Sequence, residues 1–396
     1  MIYLDNAATT PMDPEVLKVV QRSMRDDYAN SGTVYSAGVD ANRKIEQARE
    51  EIAFALSLPS RFRIVFTSGG SEANNLFIKG LCSPDRKAAY LGLEHPSVTE
   101  ALDSLKVFGN DPVRLVEYRE QGKMSRKAVP YLNEKRVRLL CLSHVNNELG
   151  VVQPIVEIAA MLRERSPQTR LFVDGVQAVG KCEFAETFWE GVSGYSVSAH
   201  KLNGPKGIGC LIYDDRLDLK PQIHGGKQQG GTRSGTLPTP LILGLARAIR
   251  ISSERLPETR AHLEALNERL RSGLRRLQSD IPELKLRFNS LPVADWARQS
   301  PAICNFSFTP VEGEVVLHHL EKKGILVGLG SACSAHSKEP SRILRALGCS
   351  VKEALCSLRI SFGPQNTLDE VDTFLREFGQ AYQTLYPAFR SKAIST

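Results

Sequence analysis

The sequence predicts an α/β protein with a large α/β domain built on a mostly parallel sheet, plus a smaller α+β domain. Three observations predict it. Between about residues 60 and 215, short apolar runs alternate with amphipathic helical stretches, the pattern of strands joined by crossover helices. The runs are apolar at nearly every residue, as they are when helices cover both faces of a sheet. After about residue 283 the order changes to short strands and helices without that alternation. The chain has 396 residues, too many for one compact core and suited to two domains sharing a site.

In chain order the expected strands of the large domain are RIVF, AAYLGL, VRLVEY, VRLLCLSHV, RLFVD, GYSVS and GIGCLIY. Helical segments such as PIVEIAAMLRER lie between several of them. A long helical region from about Pro238 to Ile281 leads out of this domain. Then follow ICNFSF, EGEVVLHHLEKKG, ILVGL, SRILRAL, SLRISFG and a last helix to about Tyr386. The expected division is 15–255 for the large domain, with 1–14 and 256–396 forming the small one. No apolar run is long enough to cross a membrane. The start MIYLDNAATTP has neither a basic nor a long apolar stretch, so a cytoplasmic protein is expected.

The formal net charge is +7, spread through helical stretches such as NERLRSGLRRLQ. That reads as solvated helix faces, so direct nucleic-acid binding is not expected. The eight cysteines include no C-x-x-C pair, which speaks against zinc and a disulfide framework, and no metal is expected. Most lie in apolar runs such as RLLCLSHV and read as buried small hydrophobes. Cys333 lies instead in GLGSACSAHSKEPS, among small and polar residues. An accessible thiol in such a loop is a candidate nucleophile. About a dozen residues separate the strand ending near Val327 from the helix starting near Ser341. A loop that long is uncommon in a compact domain and could carry a thiol outward, so it is expected to be mobile.

Other candidate residues follow strands. RIVF-TSGG-SEANN is a strand, a Gly-rich turn and a helix; the helix start offers free N–H groups to a phosphate, with Gly70 and Ser71 at the turn. RLFVD ends on Asp174, which alone would read as a helix N-cap, and Gln177 follows three residues on. In GYSVSAHKLNGPKGIG, Lys201 follows a strand, with Ser198 and His200 beside it. Lysine belongs at the surface; one at the inner end of a strand suits a Schiff base with an aldehyde cofactor. Asp174 can then keep a pyridine nitrogen protonated. His95 follows the strand AAYLGL, where an imidazole can stack on a cofactor ring and move protons. GKQQGGTRSGT is a second candidate phosphate loop. Arg359, on the strand SLRIS, needs a carboxylate partner, and a substrate carboxylate would serve.

Taken together, these motifs resemble the cysteine desulfurases of the NifS/IscS type, with the class V aminotransferase fold (fold type I of the pyridoxal-phosphate transferases). The likeness runs in order through YLDNAATTP, TSGGSEANN, EHPSV, HVNNELGVVQP, DGVQ, SAHK, GPKGIG, IHGG, RSGT, GSACSA and SLRISFG. It implies pyridoxal 5'-phosphate as cofactor, held covalently by Lys201. His95 would stack on its ring and Asp174 would bind its nitrogen. Asn147 and Gln177 would sit near the ring oxygen. Gly70, Ser71, Ser198 and His200 would hold the phosphate, and Thr236 would reach it from the neighbouring subunit of a homodimer. Arg359 and Asn30 would hold the carboxylate of L-cysteine. Cys333 would take the sulfur as a persulfide and pass it to an acceptor protein, in iron–sulfur cluster assembly, tRNA thiolation or DNA phosphorothioation.

Several positions depart from the family pattern. Gly175 stands where Ala is usual, Tyr35 where His is usual, and Lys227 replaces a Gly; no docking extension is evident in FRSKAIST. The alternatives are another class V enzyme, such as a selenocysteine lyase or an aminotransferase, and a non-catalytic partner with the same fold. An aminotransferase needs no thiol at Cys333. A non-catalytic partner would be expected to lose Lys201, Asp174 or Cys333, and all three are present.

Overall fold

The computed structural model describes residues 1–82, 86–116, 122–292, 295–330 and 339–390, with backbone alone for 118–119. The seven strands expected in the alternating region form one sheet. Its order is Phe62–Thr67, Gly209–Asp214, Gly194–Ser198, Arg170–Asp174, Leu139–Ser143, Ala88–Leu91, Val113–Leu115. Gly209–Asp214 runs antiparallel to both neighbours; the remaining pairings are parallel. The sheet is therefore mostly parallel, and Thr67, Leu91, Ser143, Asp174 and Ser198 end their strands at one edge, where ligands gather in open α/β sheets.

Both faces of this sheet are covered, which is why its strands lack polar alternation. Period two sends alternate residues to opposite sides. Leu140, Leu142, Leu171 and Val173 join the core that includes the helices Pro14–Asp26, Ser36–Ala55 and Thr239–Glu254. Leu139, Cys141 and Phe172 join the core under the helices Gly70–Leu81 and Pro96–Asp103. There Phe172 stacks on Phe77 with ring centroids 4.6 Å apart.

The helical region after Pro238 resolves into two helices, Thr239–Glu254 and Leu256–Asp280. Pro257, in the first turn of the second, has no N–H to continue the first. The second helix packs into a separate core with a three-stranded antiparallel sheet, Lys285–Phe288, Ile303–Thr309 and Ser357–Ser361, and the helices Gly313–Glu321 and Leu368–Arg390. The last helix runs through Pro387 to Arg390, past the expected end near Tyr386. The carbonyl that Pro387 leaves without a partner belongs to exposed Gln383, which water can satisfy.

The N-terminal segment joins both regions. Ile2–Leu4 pairs in parallel with Ile325–Val327. Asn6 Nδ2 donates to Ser361 O at 2.9 Å, and Ala7 N to Ser361 Oγ at 2.8 Å. A few residues on, Thr10 N donates to His200 O at 2.9 Å. The segment is thus fastened at one end to the small sheet and at the other to the turn that carries Lys201.

The departure at Gly175 has a steric reason. A Cβ there would lie 1.8 Å from Cε1 of Tyr195, a fully buried ring whose hydroxyl is 2.9 Å from His144 Nδ1. Gly175→Ala is expected to destabilise the protein by about 1–3 kcal/mol through overpacking. Combining it with Tyr195→Ala should cost less than the sum of the single changes in a denaturant-unfolding cycle. Additive costs would show that Tyr195 does not dictate the glycine.

Candidate active site

At the carboxyl edge of the large sheet lies a cavity of about 460 Å³. Its lining includes Gly70, Ser71, His95, Asn147, Asp174, Gln177, Ser198, His200, Lys201 and Arg359. These ten expected site residues, from six separate stretches of chain, are brought together. Asn30 and Thr236 are not: both are exposed and neither lines the cavity. Asn30 instead closes a local turn, its Oδ1 accepting from Gly32 N at 2.9 Å. Cys333 and residues 331–338 of its loop lie outside the described residues, although Glu339 and Pro340, just after them, line the cavity.

Lys201 projects from the short turn after Gly194–Ser198. Its ammonium donates to the carbonyls of Ala7 and Ala8, both at 2.6 Å. Burial, and then Arg359 and Lys181, disfavour the charged form and bring its pKa down from 10.5 to about 8. The neutral amine is therefore present at neutral pH in a share that an exposed lysine never reaches.

Asp174 ends its strand with the carboxylate buried. It accepts from Asn74 Nδ2 at 2.9 Å, Val176 N at 3.0 Å and Ser196 Oγ at 3.4 Å. His95 caps the helix Pro96–Asp103, its Nδ1 accepting from Ser97 N at 3.1 Å. Burial holds its pKa below the usual imidazole value, against the opposing pull of Asp174.

The Gly-rich turn enters the helix Gly70–Leu81, whose first-turn N–H groups have no partners within the helix. A Cβ on Gly209 would lie 2.8 Å from Gly69 Cα, so the turn lies directly on the strand beside Ser198. Arg233 Nε donates to Glu72 Oε1 at 2.8 Å, tying the RSGT loop to this turn. Burial would raise the Glu72 carboxyl, but Arg233 and Ser68 outweigh it and hold it below the usual range.

Arg359 is 1 % exposed. Its Nη2 donates to Asp5 Oδ1 at 2.7 Å and its Nη1 to Asn147 O at 3.0 Å. Its Nε is buried without a partner, and so is Gln177 Oε1, although Gln177 Nε2 donates to Ala7 O at 2.9 Å. Orphaned polar atoms in a cavity wall mark where a ligand would bind.

Sequence reasoning did not single out Glu94, Glu148, Asn74 and Arg342, all in the lining. Burial pushes Glu94 up to about 8 despite a hydrogen bond from Ser143, and Glu148 up to about 7 despite one from Ser341 at 2.5 Å. Each stands inside a recognised motif, EHPSV or HVNNELG. The available signal was an acid in the turn that follows an apolar strand, after Ala88–Leu91 and after Leu139–Ser143.

Residues 2–374 match the family model described as Aminotransferase class-V. The chain belongs to the class V aminotransferase family. It is 33 % identical to a Clostridium botulinum (strain Hall) protein named "Cysteine desulfurase IscS", over 94 % of this chain and 92 % of that one. Among solved structures, a protein titled "NIFS-LIKE PROTEIN" matches with a TM-score of 0.86 at 30 % identity, covering 97 % of this chain and 100 % of the other. "SspA in complex with cysteine" matches with a TM-score of 0.75 at 32 % identity, covering 93 % and 100 %. No helix among the described residues is long and apolar enough to cross a membrane.

The class V family uses pyridoxal 5'-phosphate, and this cavity fits it. An amine with a lowered pKa suits the aldehyde, the buried carboxylate of Asp174 suits a protonated ring nitrogen, and the helix start at Gly70 suits the phosphate. Because the aldehyde requires a neutral amine, the rate at which apo-protein takes up the cofactor is expected to rise with pH through about 8 and then level off. Stopped-flow absorbance would follow it. A rise that continues towards 10.5 would mean that Lys201 is not perturbed.

Proposed function

We propose that this protein is a cysteine desulfurase: it converts L-cysteine to L-alanine and places the sulfur on Cys333 as a persulfide for an acceptor. The observation that carries the reading is the single cavity in which Lys201, Asp174, His95 and Arg359 meet. Bound pyridoxal 5'-phosphate supplies an electron sink for the bond-breaking at the amino acid.

The chain's own residues supply the rest. The buried guanidinium of Arg359, held by Asp5 and Asn147, fixes the substrate carboxylate. Lys201, neutral in part because its pKa is near 8, takes the α-proton and later returns a proton. His95 would move protons at the substrate. Asp174 would hold the cofactor's ring nitrogen, Gln177 and Asn147 its ring oxygen, and Gly70, Ser71, Ser198 and His200 its phosphate. Cys333, as thiolate, attacks the substrate sulfur; a sulfur–sulfur bond forms, and the electron pair of the broken carbon–sulfur bond stays on the substrate carbon, which takes up a proton on the way to alanine. The other described cysteines do not suit this role. Burial raises every one of these thiols, Cys82 and Cys210 to about 12.

A homodimer belongs to this reading. Tyr28, Val34, Tyr35 and Val39 are all more than half exposed near Asn30, a surface suited to a second copy. Asn30 and Thr236 would then act across the subunit boundary. The division remains 15–255 and 1–14 with 256–396; the separate core around Phe306, Phe308 and Phe378 supports the small domain, while Ile343, Leu344, Cys349 and Ala354 of its stretch pack into the core of the large one. An acceptor protein in the cytoplasm completes the reading.

The test is alanine release from L-cysteine with a reducing thiol present. Cys333→Ser should bind cofactor and cysteine and make almost no alanine; full activity would falsify the persulfide route. Lys201→Ala should lose the visible absorption band of the bound cofactor. Arg359→Lys should raise KM for cysteine about ten-fold, because the lysine keeps the charge and loses the planar fork. Unchanged KM and kcat would reduce Arg359 to a structural role.

A further inference from the structure

Asn74 is 1 % exposed, and the catalytic assignments above give it no part. Its Nδ2 group makes two bonds: to Asp174 Oδ2 at 2.9 Å and to Ser97 Oγ at 2.8 Å. The carboxylate can only accept, so the amide faces it with its hydrogens, and both are used. The opposite atom, Oδ1, is buried without a partner. A native structure tolerates such a loss where the group does something else.

Ser97 continues the chain of bonds. Its Oγ accepts from Asn74, and the same oxygen lies 2.8 Å from His95 Nδ1. The backbone N–H of Ser97 also points at Nδ1, at 3.1 Å. A nitrogen that receives an N–H must present its lone pair, so neutral His95 carries its proton on Nε2. The hydroxyl proton of Ser97 is then directed to the same lone pair.

We propose that Asn74 and Ser97 are positioning residues that join the Asp174 carboxylate to the His95 imidazole, fixing His95 as the Nε2–H tautomer. The inference rests on the reading of this cavity as the desulfurase site. One side-chain amide sets two groups at once: it steadies the carboxylate that meets the ring nitrogen, and it orders the hydroxyl that holds the imidazole. His95 then meets the cavity with a single defined proton. The charged and titratable groups around it are Asp174, Lys201 and Arg342, with Glu94 next in sequence.

The test is nitrogen NMR of holoenzyme labelled with ¹⁵N-histidine, with His95 assigned by the signal lost in His95→Gln. In the wild type, Nδ1 should resonate as an unprotonated nitrogen and Nε2 as a protonated one. Ser97→Ala should shift Nδ1 towards the value for one hydrogen bond fewer, and Asn74→Leu should do the same through the freed hydroxyl. Ser97→Thr, which keeps a hydroxyl, should restore the wild-type signal. In the alanine assay, Ser97→Ala and Asn74→Leu should lower kcat about three- to ten-fold and move KM by less than about two-fold, the size expected for one hydrogen bond. A wild-type His95 protonated on Nδ1 overturns the proposal, as does an Nδ1 signal unmoved in Ser97→Ala. The wild-type spectrum and the milder Ser97→Ala keep the test decisive if Asn74→Leu does not fold. If the tautomer is as stated and no alanine forms from L-cysteine, the desulfurase reading fails and the relay stands. If alanine forms and Nδ1 is protonated, the relay alone fails.

Discussion

The contact on which this site depends is the one between the Lys201 amine and the carbonyls of Ala7 and Ala8. It joins the turn after a strand of the large sheet to a segment that is hydrogen-bonded to the small one through Asn6 and Ala7. Further bonds fasten the same join: Asn203 N to Thr10 Oγ1 at 2.8 Å, and Thr9 Oγ1 with His200 Nδ1 at 3.1 Å. Gln177 meets the same Ala7 carbonyl. The two carbonyls hold the amine at the cavity wall.

Electrostatics in the cavity follow from burial more than from charge count. Lys201, Arg359 and Arg342 face Asp174, Glu94 and Glu148. With Glu94 raised to about 8 and Glu148 to about 7, much of the acidic side is neutral at neutral pH. The cations Lys201, Arg359 and Arg342 suit a ligand that carries a phosphate and a substrate that carries a carboxylate. Asp174 differs from the two glutamates in receiving three donors.

The departures from the family pattern separate into those with a packing reason and those without. Gly175 makes room for Tyr195, and Val176 lies where a Cβ on Gly70 would meet its Cγ2 at 2.5 Å. Asp174 and Gln177, on either side of Gly175 and Val176, both line the cavity. Nothing in the structure explains Lys227, whose backbone has a positive φ of 58°. Tyr35 is exposed at the start of the helix Ser36–Ala55, in the surface assigned above to a second subunit.

The sequence by itself determined the strands of the large sheet, the helix after the TSGG turn and the residues most exposed to chemistry. Lys201, Asp174 and His95 stand at the ends of apolar runs, and a buried parallel sheet makes such runs visible because both of its faces are covered. The stretch around Cys333 was singled out for the opposite reason, its small and polar residues, and residues 331–338 lie outside the described ones. Only the tertiary structure decided how Ala7, Ala8, Asn74 and Asp5 take part. Their contributions are a backbone carbonyl, an amide and a carboxylate whose partners lie 100 or more residues away. No local periodicity records a hydrogen bond made across that distance. Glu94 and Glu148 could be placed after strands, but their raised pKa values could not be read, because a glutamate in a sequence looks the same in water and in a core. Burial, which alone separates the two, is a property of the folded chain.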